Sequence, residues 1–352
     1  SELVSLTVPS GTDESILESL EVVLCVNLSI EESGCFCFLG ASEGGKRILE
    51  SACEVIEAKL IEMAQGAKID LEFISDWSEY QTRIKKEACV SHSNVSDQLN
   101  VLQGDVYRMP RGVTFDFYSR VQATLLPFFI EAATPIDLSD PKWTVYLNIS
   151  TPSTPSSDSH RVCRAFMTTY NYFRFPEGLR VRISQILVFP RFQSARLGSS
   201  LYTAVTGALR ADEECAEICV EDPTDGFERL RGICDFLAWQ VALKKNNIVD
   251  DSTLESSLKI TKDHAERLRI LAEYLESKQQ KSSTVKRSKT SASPASCVDE
   301  GLRKRIKLNL LRKFRKDLPD SQSERFQKLT ELFESEVEEF LVPVSERIVS
   351  EL

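Results

Sequence analysis

Between Phe115 and Glu131 the apolar residues Phe117, Val121, Leu125 and Phe128 or Phe129 recur at helical spacing. That period predicts an amphipathic helix with one buried face, closing on Glu131. The period then changes. Trp143 to Ile149 reads as a strand, Thr151 to His160 as a polar Ser/Pro loop, and Val162 to Phe175 as a second strand rich in aromatic and β-branched residues. The two predict a hairpin. A further strand, Val181 to Phe189, stops at Pro190. After the loop Arg191 to Leu197, a helix starting near Gly198 carries Leu201, Val205 and Leu209 on one face. Ile218, Cys219 and Val220 read as a short buried strand. Asp222-Pro223-Thr224 then predicts a helix start with Pro in the first position, and Phe227, Leu230 and Ile233 or Cys234 supply its apolar stripe.

On either side of this β-loop-α-β-α unit the pattern differs. Residues 1–112 mix short apolar runs with turns and end on Pro110-Arg111-Gly112, predicting an N-terminal mixed domain before a core at 113–240. Residues 241–277 form a helical extension with Leu268, Leu271 and Leu275 in register. Residues 278–298 are rich in Ser, Lys and Gln, offer almost no apolar side chain to offset their ordering entropy, and read as a disordered linker. Residues 299–352 return to helix, first basic (Arg303, Lys304, Arg305, Lys307, Arg312, Lys313, Arg315, Lys316) and then acidic (Glu331, Glu334, Glu336, Glu338, Glu339). Two antiparallel helices pairing opposite charges is the first reading; a basic contact surface is the alternative. The fold class is α/β of the α+β kind.

Composition narrows the function classes. A chain of 352 residues with 42% hydrophobic content buries a sizeable core. The most apolar early run, Leu20 to Leu28, is interrupted by Glu21 and is too short to span a bilayer, so no membrane segment is expected. Ten scattered cysteines without a Cys-x-x-Cys pair, and three histidines (His92, His160, His264), suggest neither a metal site nor a disulfide framework. Cytosol or nucleus fits that usage. A net charge of -10 argues against wholesale nucleic-acid binding and suits a cationic partner.

A buried strand that runs through a loop into a helix N-terminus gathers unpaired backbone N–H groups and the positive end of the helix dipole at one point, which suits a pyrophosphate. The residues at this junction carry a resemblance. Arg182-Ile-Ser-Gln185-Ile-Leu-Val-Phe-Pro190-Arg-Phe-Gln193-Ser-Ala-Arg-Leu-Gly198-Ser-Ser-Leu-Tyr202, followed by Val220-Glu-Asp-Pro223, resembles the core of the type B histone acetyltransferase catalytic subunits, in the GNAT acetyltransferase superfamily. Phe117-Tyr-Ser-Arg-Val-Gln122, Phe128-Phe-Ile-Glu131, Ile136-Asp137 with Trp143, Met167-Thr-Thr-Tyr170-Asn-Tyr172 and Lys259-Ile-Thr-Lys-Asp-His264-Ala-Glu-Arg267 extend it from about Val113 to Leu275.

The resemblance implies an acetyltransferase core that uses acetyl-CoA as cosubstrate and no metal. In it Ile186, Leu187 and Val188 accept the pantetheine along the strand, and Gln193, Ser194, Ala195, Arg196, Leu197, Gly198 and Ser199 wrap the pyrophosphate. Pro223 flanks the cofactor. Trp143, Tyr170, Asn171 and Tyr172 line a groove for the histone H4 tail, and Glu31 and Glu32 resemble an acidic segment that contacts the same tail. A WD-repeat histone chaperone is the implied protein partner, with neither nucleic acid nor membrane, and the family works in cytoplasm and nucleus.

Acetyl transfer to lysine requires a base, because at a pKa of ~10.4 about one ammonium in two thousand is neutral near pH 7. Glu131, Glu221 and Asp222 match the family's acidic positions; Glu221 is assigned as the base, with Glu131 and Asp222 holding the ammonium and sharing the proton. Asp222 before Pro223 is also what a helix N-cap requires. The phosphate loop departs from the family's pattern: Arg196 stands at its first Gly and Ser194 at a position often Gly or Asn; outside the loop, Gly226 sits where the family often has a Ser near the cofactor. A side chain at Arg196 strains a loop that wants glycine, while its guanidinium offers a phosphate partner.

Overall fold

A period of two governs the middle of the chain: in the computed structural model Val181, Ile183, Gln185 and Leu187 are buried, while Arg182, Ser184, Ile186 and Val188 between them are half-buried. Residues 2–6, 22–26, 36–41, 57–58, 60–62, 65, 72–74, 79, 99–109, 118, 121–122, 126–130, 134–150, 163–246, 254–284 and 293–351 are described. The chain divides into two compact units, Ser1–Asn171 with Ile183–Val205, and Tyr172–Arg182 with Thr206–Leu352.

The first unit opens on a four-stranded sheet of β1 (Glu2–Leu6), β2 (Val22–Val26), β3 (Phe36–Ala41) and β4 (Glu72–Ile74), in that order. The chain's other sheet is six-stranded and not confined to the first unit, ordered β10-β9-β8-β7-β6-β5, from β5 (Asn100–Gln103), β6 (Val106–Arg108), β7 (Trp143–Ile149), β8 (Cys163–Phe173), β9 (Leu179–Val188) and β10 (Cys215–Val220). The core sheet therefore begins before residue 113, where a domain boundary was expected. Val106 pairs with Asn148 in antiparallel register, and Arg164 on β8 holds Asp105 in the β5–β6 turn at 2.6 Å. The short hairpin Asn100–Arg108 has too little apolar surface to stand alone and takes its stability from that edge.

Only Leu126–Phe129 (α1) of the helix expected between Phe115 and Glu131 is described as an element, with Tyr118, Val121 and Leu126 buried. Two buried glutamines fix the chain after it. Gln122 accepts from the Ile136 N–H at 2.5 Å, and Gln185 on β9 accepts from the Tyr118 hydroxyl at 3.0 Å and donates to the Thr134 carbonyl at 3.4 Å. An amide that both accepts and donates satisfies a buried loop backbone that an apolar residue would leave unpaired.

In the second unit α2 (Leu197–Ala211) ends against Lys259, whose ammonium donates to the Asp212 carbonyl at 2.6 Å and to that of Leu209 at 3.4 Å, neutralising the helix's negative end. Gly178 turns β8 into β9 at φ +89°, and a Cβ there would stand 2.9 Å from that of Ala216, so glycine is required twice over. Next come α3 (Asp225–Asn246), α4 (Leu254–Leu258), α5 (Lys262–Thr284), α6 (Glu300–Lys313), α7 (Gln322–Ser335), a π-helical turn (Glu336–Leu341) and α8 (Val342–Glu351). Their shared core gathers Trp239, Leu268, Leu271, Ile306, Phe333 and Leu341.

Helix α5 continues to Thr284, into the segment expected to be a linker, and Ala295 and Val298 are buried against the helical core. Gln and Lys are good helix formers once the preceding turns are anchored, so low hydrophobicity alone misplaces this end. Residues 285–292, with the Lys286-Arg287-Ser288-Lys289 run, lie outside the described residues. Arg305 of α6 pairs with Glu266 at 2.9 Å and Glu273 at 2.8 Å on α5, and no ion pair joins α6 to α7 among the described residues. The expected pairing of a basic helix with an acidic one is thus corrected: α6 and α7 meet through Arg303 and Lys307 over the Phe333 ring.

Candidate active site

Strand β9 delivers the chain to Phe189, a short 3-10 turn (Pro190–Phe192) follows, and Gln193 to Arg196 lead into α2. The Gln193 amide donates back to the Val188 carbonyl at 3.1 Å, closing the loop on the strand end. The Arg196 carbonyl accepts from Ser200 at 3.0 Å and so opens the helix, leaving the N–H groups of Leu197, Gly198 and Ser199 without an intrahelical acceptor. Ser194 and Arg196 both adopt positive φ, 62° and 61°. Backbone of this kind turns successive N–H groups toward one side, the arrangement that cradles phosphate, and the helix dipole adds to it. Those two features fit a pyrophosphate.

The two positive-φ residues are the two that depart from the family's glycine pattern. An L-residue held there costs about 1–2 kcal/mol relative to glycine. On the strand itself Ile186 and Val188 stand on the half-open face, whereas Leu187 is buried on the other. Only the first two therefore offer side chains to a ligand lying along that face.

In the second unit β10 ends at Val220 and the acids follow. Asp222 lies at φ 39°, and both Glu221 and Asp222 are exposed. Helix α3 starts at Asp225. Its N-cap is Thr224, whose hydroxyl accepts from the Phe227 N–H at 3.3 Å and whose carbonyl accepts from Glu228 at 2.9 Å. The helix start expected at Asp222-Pro223 is thereby corrected: Thr224 satisfies the orphan N–H group, and Pro223 lies before the cap. Asp222 is left without the capping duty that would explain it structurally.

Glu221 receives Nη1 of Arg182 at 2.5 Å, and the Arg182 guanidinium lies 4.9 Å from the centre of the Tyr172 ring. The stack Tyr172–Arg182–Glu221 joins a predicted groove residue to the predicted base through a residue without a predicted role. Beyond its place in the run that carries the resemblance, its signal in the sequence is alternation: Arg182 occupies a strand position whose side chain shares a face with Ile186 and Val188. In the first unit, Trp143 and Tyr170 are cross-strand partners with rings edge-to-face at 4.8 Å, and Asn171 donates its N–H to the Lys142 carbonyl at 3.0 Å. Glu131, Glu31 and Glu32 lie outside the described residues.

No protein-family model matches the chain. Curated proteins do. It is 29% identical over 189 residues to the "Histone acetyltransferase type B catalytic subunit" of Schizosaccharomyces pombe, covering 45% of this chain and 49% of that protein. The protein of the same description from Eremothecium gossypii is 34% identical over 133 residues, 35% of this chain and 32% of that one. Its counterpart from Arabidopsis thaliana is 36% identical over 118 residues, 34% and 25%. The chain is a relative of the type B histone acetyltransferase catalytic subunits. It spans half or less of the length of these relatives.

The buried residues of the Lys259 to Arg267 run are held in a network of hydrogen bonds and ion pairs. His264 Nε2 lies 2.8 Å from Asp235, which is fully buried and also bound by Arg210 at 2.5 Å. Arg267 pairs with Glu228 and, in a fork, with Glu336 at 2.7 and 2.8 Å, while its guanidinium covers the Phe340 ring at 3.5 Å. Burial opposes charge on Asp235, but the His264 hydrogen bond and the charges of His264, Arg210 and Arg231 outweigh it and hold its carboxyl at about 2. Burial, reinforced by Arg231, pushes His264 below its ordinary value against the pull of Asp235 and Glu228. These groups lock α3 to α5 and the π-helical turn and are structural.

Proposed function

We propose that this chain is an acetyl-CoA-dependent lysine acetyltransferase acting on the N-terminal tail of newly made histone H4. The observation that carries the reading is the loop from Gln193 to Arg196, with paired positive φ angles at the N-terminus of a 15-residue helix, in a relative of type B acetyltransferases. Backbone N–H groups of Leu197, Gly198 and Ser199 hold the pyrophosphate, with the Arg196 guanidinium as its cationic partner. Ile186 and Val188 flank the pantetheine, and Pro223 borders the cofactor. Bound acetyl-CoA supplies an activated thioester carbonyl.

Glu221 takes the proton from the substrate ammonium. One carboxylate oxygen is engaged by Arg182, and the other keeps lone pairs for the lysine. Asp222, freed of capping, holds the ammonium beside it, and Glu131 completes the acidic set. Trp143, Tyr170, Asn171 and Tyr172 line the tail groove, and Glu31 and Glu32 contact the same tail; aromatic faces and carboxylates suit a Gly/Lys-rich peptide. A WD-repeat histone chaperone is the partner, and the protein works in cytoplasm and nucleus. Incubation with labelled acetyl-CoA and an H4-tail peptide gives labelled peptide; label on a polyamine but none on the peptide overturns the substrate assignment.

A second reading rests on Ser194 and Arg196. Non-glycine residues at φ 62° and 61° are the departure expected of a histone-binding scaffold that kept the fold and lost the cofactor. Calorimetry separates the two: the folded protein binds acetyl-CoA in the first reading and releases no heat with it in the second.

A further inference from the structure

We infer that the exposed side of α6 and the turn after it, with Phe326 of α7, forms a docking surface for an acidic segment of a partner protein that carries apolar anchors. Lys304, Leu308 and Arg312 lie at i, i+4 and i+8 on α6 and share one face. Arg315 and Lys316 extend the charge past the helix end. Lys304, Arg312, Arg315 and Lys316 are exposed and make no ion pair among the described residues, in contrast to Arg305, which is committed to Glu266 and Glu273. This cationic strip stands out on a chain of net charge -10.

Two large apolar side chains sit among the cations. Leu308 is 44% exposed and Phe326 69% exposed, and Lys307 bridges toward the latter with Nζ 5.0 Å from its ring. Placement at a helix C-terminus, where cations complement the dipole, accounts for Arg312 and Lys313 but not for Lys304 near the opposite end of α6, nor for an exposed phenylalanine. Mixed cations and apolar groups match a chain that alternates carboxylates with hydrophobic residues. A nucleic acid fits less well. Its backbone is uniformly anionic and has no use for Leu308 and Phe326, and Asp317, Asp320 and Glu324 on the neighbouring turn and helix repel it.

The test uses the full chain and, as probe, a fluorescent Glu-rich peptide bearing leucines one helical turn apart, with an all-Glu peptide and a DNA duplex alongside. The leucine-bearing peptide binds, weakens as salt is raised, and binds at least about tenfold more weakly to a Lys304→Glu, Arg312→Glu, Lys316→Glu variant, a loss of about 1.4 kcal/mol. Phe326→Ser lowers affinity for that peptide but not for the all-Glu one. Melting curves matching the parent chain confirm folded variants, and should the charge variant unfold, Phe326→Ser decides alone. Equal binding of the leucine-bearing peptide to parent and variants, or no binding, overturns the inference. Tighter binding of the duplex than of the peptide, lost in the charge variant, overturns it in favour of a nucleic-acid surface.

Discussion

Arg182 reaches from the half-open face of β9 to Glu221 at the end of β10, Nη1 to Oε1 at 2.5 Å, with Tyr172 beneath its guanidinium. The ion pair orients the carboxylate proposed as base, so the two residues have separable effects. Glu221→Gln lowers kcat for H4-peptide acetylation by about 10²- to 10⁴-fold, the range of a lost general base. Arg182→Gln leaves the carboxylate but releases its orientation, and costs about tenfold in kcat with KM for acetyl-CoA unchanged. Steady-state kinetics of both variants checks this. Full activity in Glu221→Gln removes that residue from the role.

The loop conformation at Arg196 gives a second expectation with opposing signs. Arg196→Gly relieves the positive-φ strain and stabilises the protein by about 1 kcal/mol, raising Tm by a few degrees. The same change deletes the charge-assisted contact proposed between Arg196 and the cofactor phosphates, about 1.5–3 kcal/mol, so that contact is expected to outweigh the strain for binding. Acetyl-CoA affinity therefore falls about tenfold, and its salt dependence shrinks. Calorimetry at two salt concentrations, with a melting curve, reads both; tighter binding in Arg196→Gly shows that strain dominates.

The central elements were legible because their periods are clean: β7, β8, β9 and α2 lie within a few residues of the sequence expectation. Helix starts were less so. Asp222-Pro223 and Thr224 offer competing caps, and the choice depends on where the strand before them ends, a tertiary matter. Arg182 stood in the run that carries the resemblance but had no assigned role. An arginine on a strand reads as solvent-facing until a ring and a carboxylate from other elements close on it. Charge segregation at the C-terminus was visible, and so was the helix at α5, but not that α5 rather than α7 takes the Arg305 ion pairs.

Close packing at Gly232 yields a stability prediction independent of activity. A Cβ there would stand 2.8 Å from Cζ of Phe340, whose ring is covered by the Arg267 guanidinium at 3.5 Å. The ring cannot retreat without breaking that contact, so Gly232→Ala destabilises by about 1–3 kcal/mol in spite of alanine's better helix propensity. Gly232→Ala with Phe340→Leu recovers part of the loss. Chemical denaturation of both variants measures it; a stabilised Gly232→Ala refutes the packing argument.

The buried Asp235–His264 pair fixes how stability responds to acid. Because burial and Arg231 keep His264 below its ordinary value of 6.5, the unfolded chain takes up its proton first. The native state then loses stability as pH falls below about 6.5, and goes on losing it until His264 protonates in the folded protein. Asp235, at about 2 in the native state against 3.8 unfolded, adds a second loss as pH falls from 3.8 toward 2. Each sign follows from a lowered native value, which makes the folded state the poorer proton acceptor. His264→Gln keeps a donor for Asp235 and removes the titration, so its unfolding free energy is flatter than the parent's between pH 6.5 and 5 while the loss below pH 3.8 persists. Denaturant melts across that range decide: an unchanged slope in His264→Gln assigns the acid sensitivity to another group.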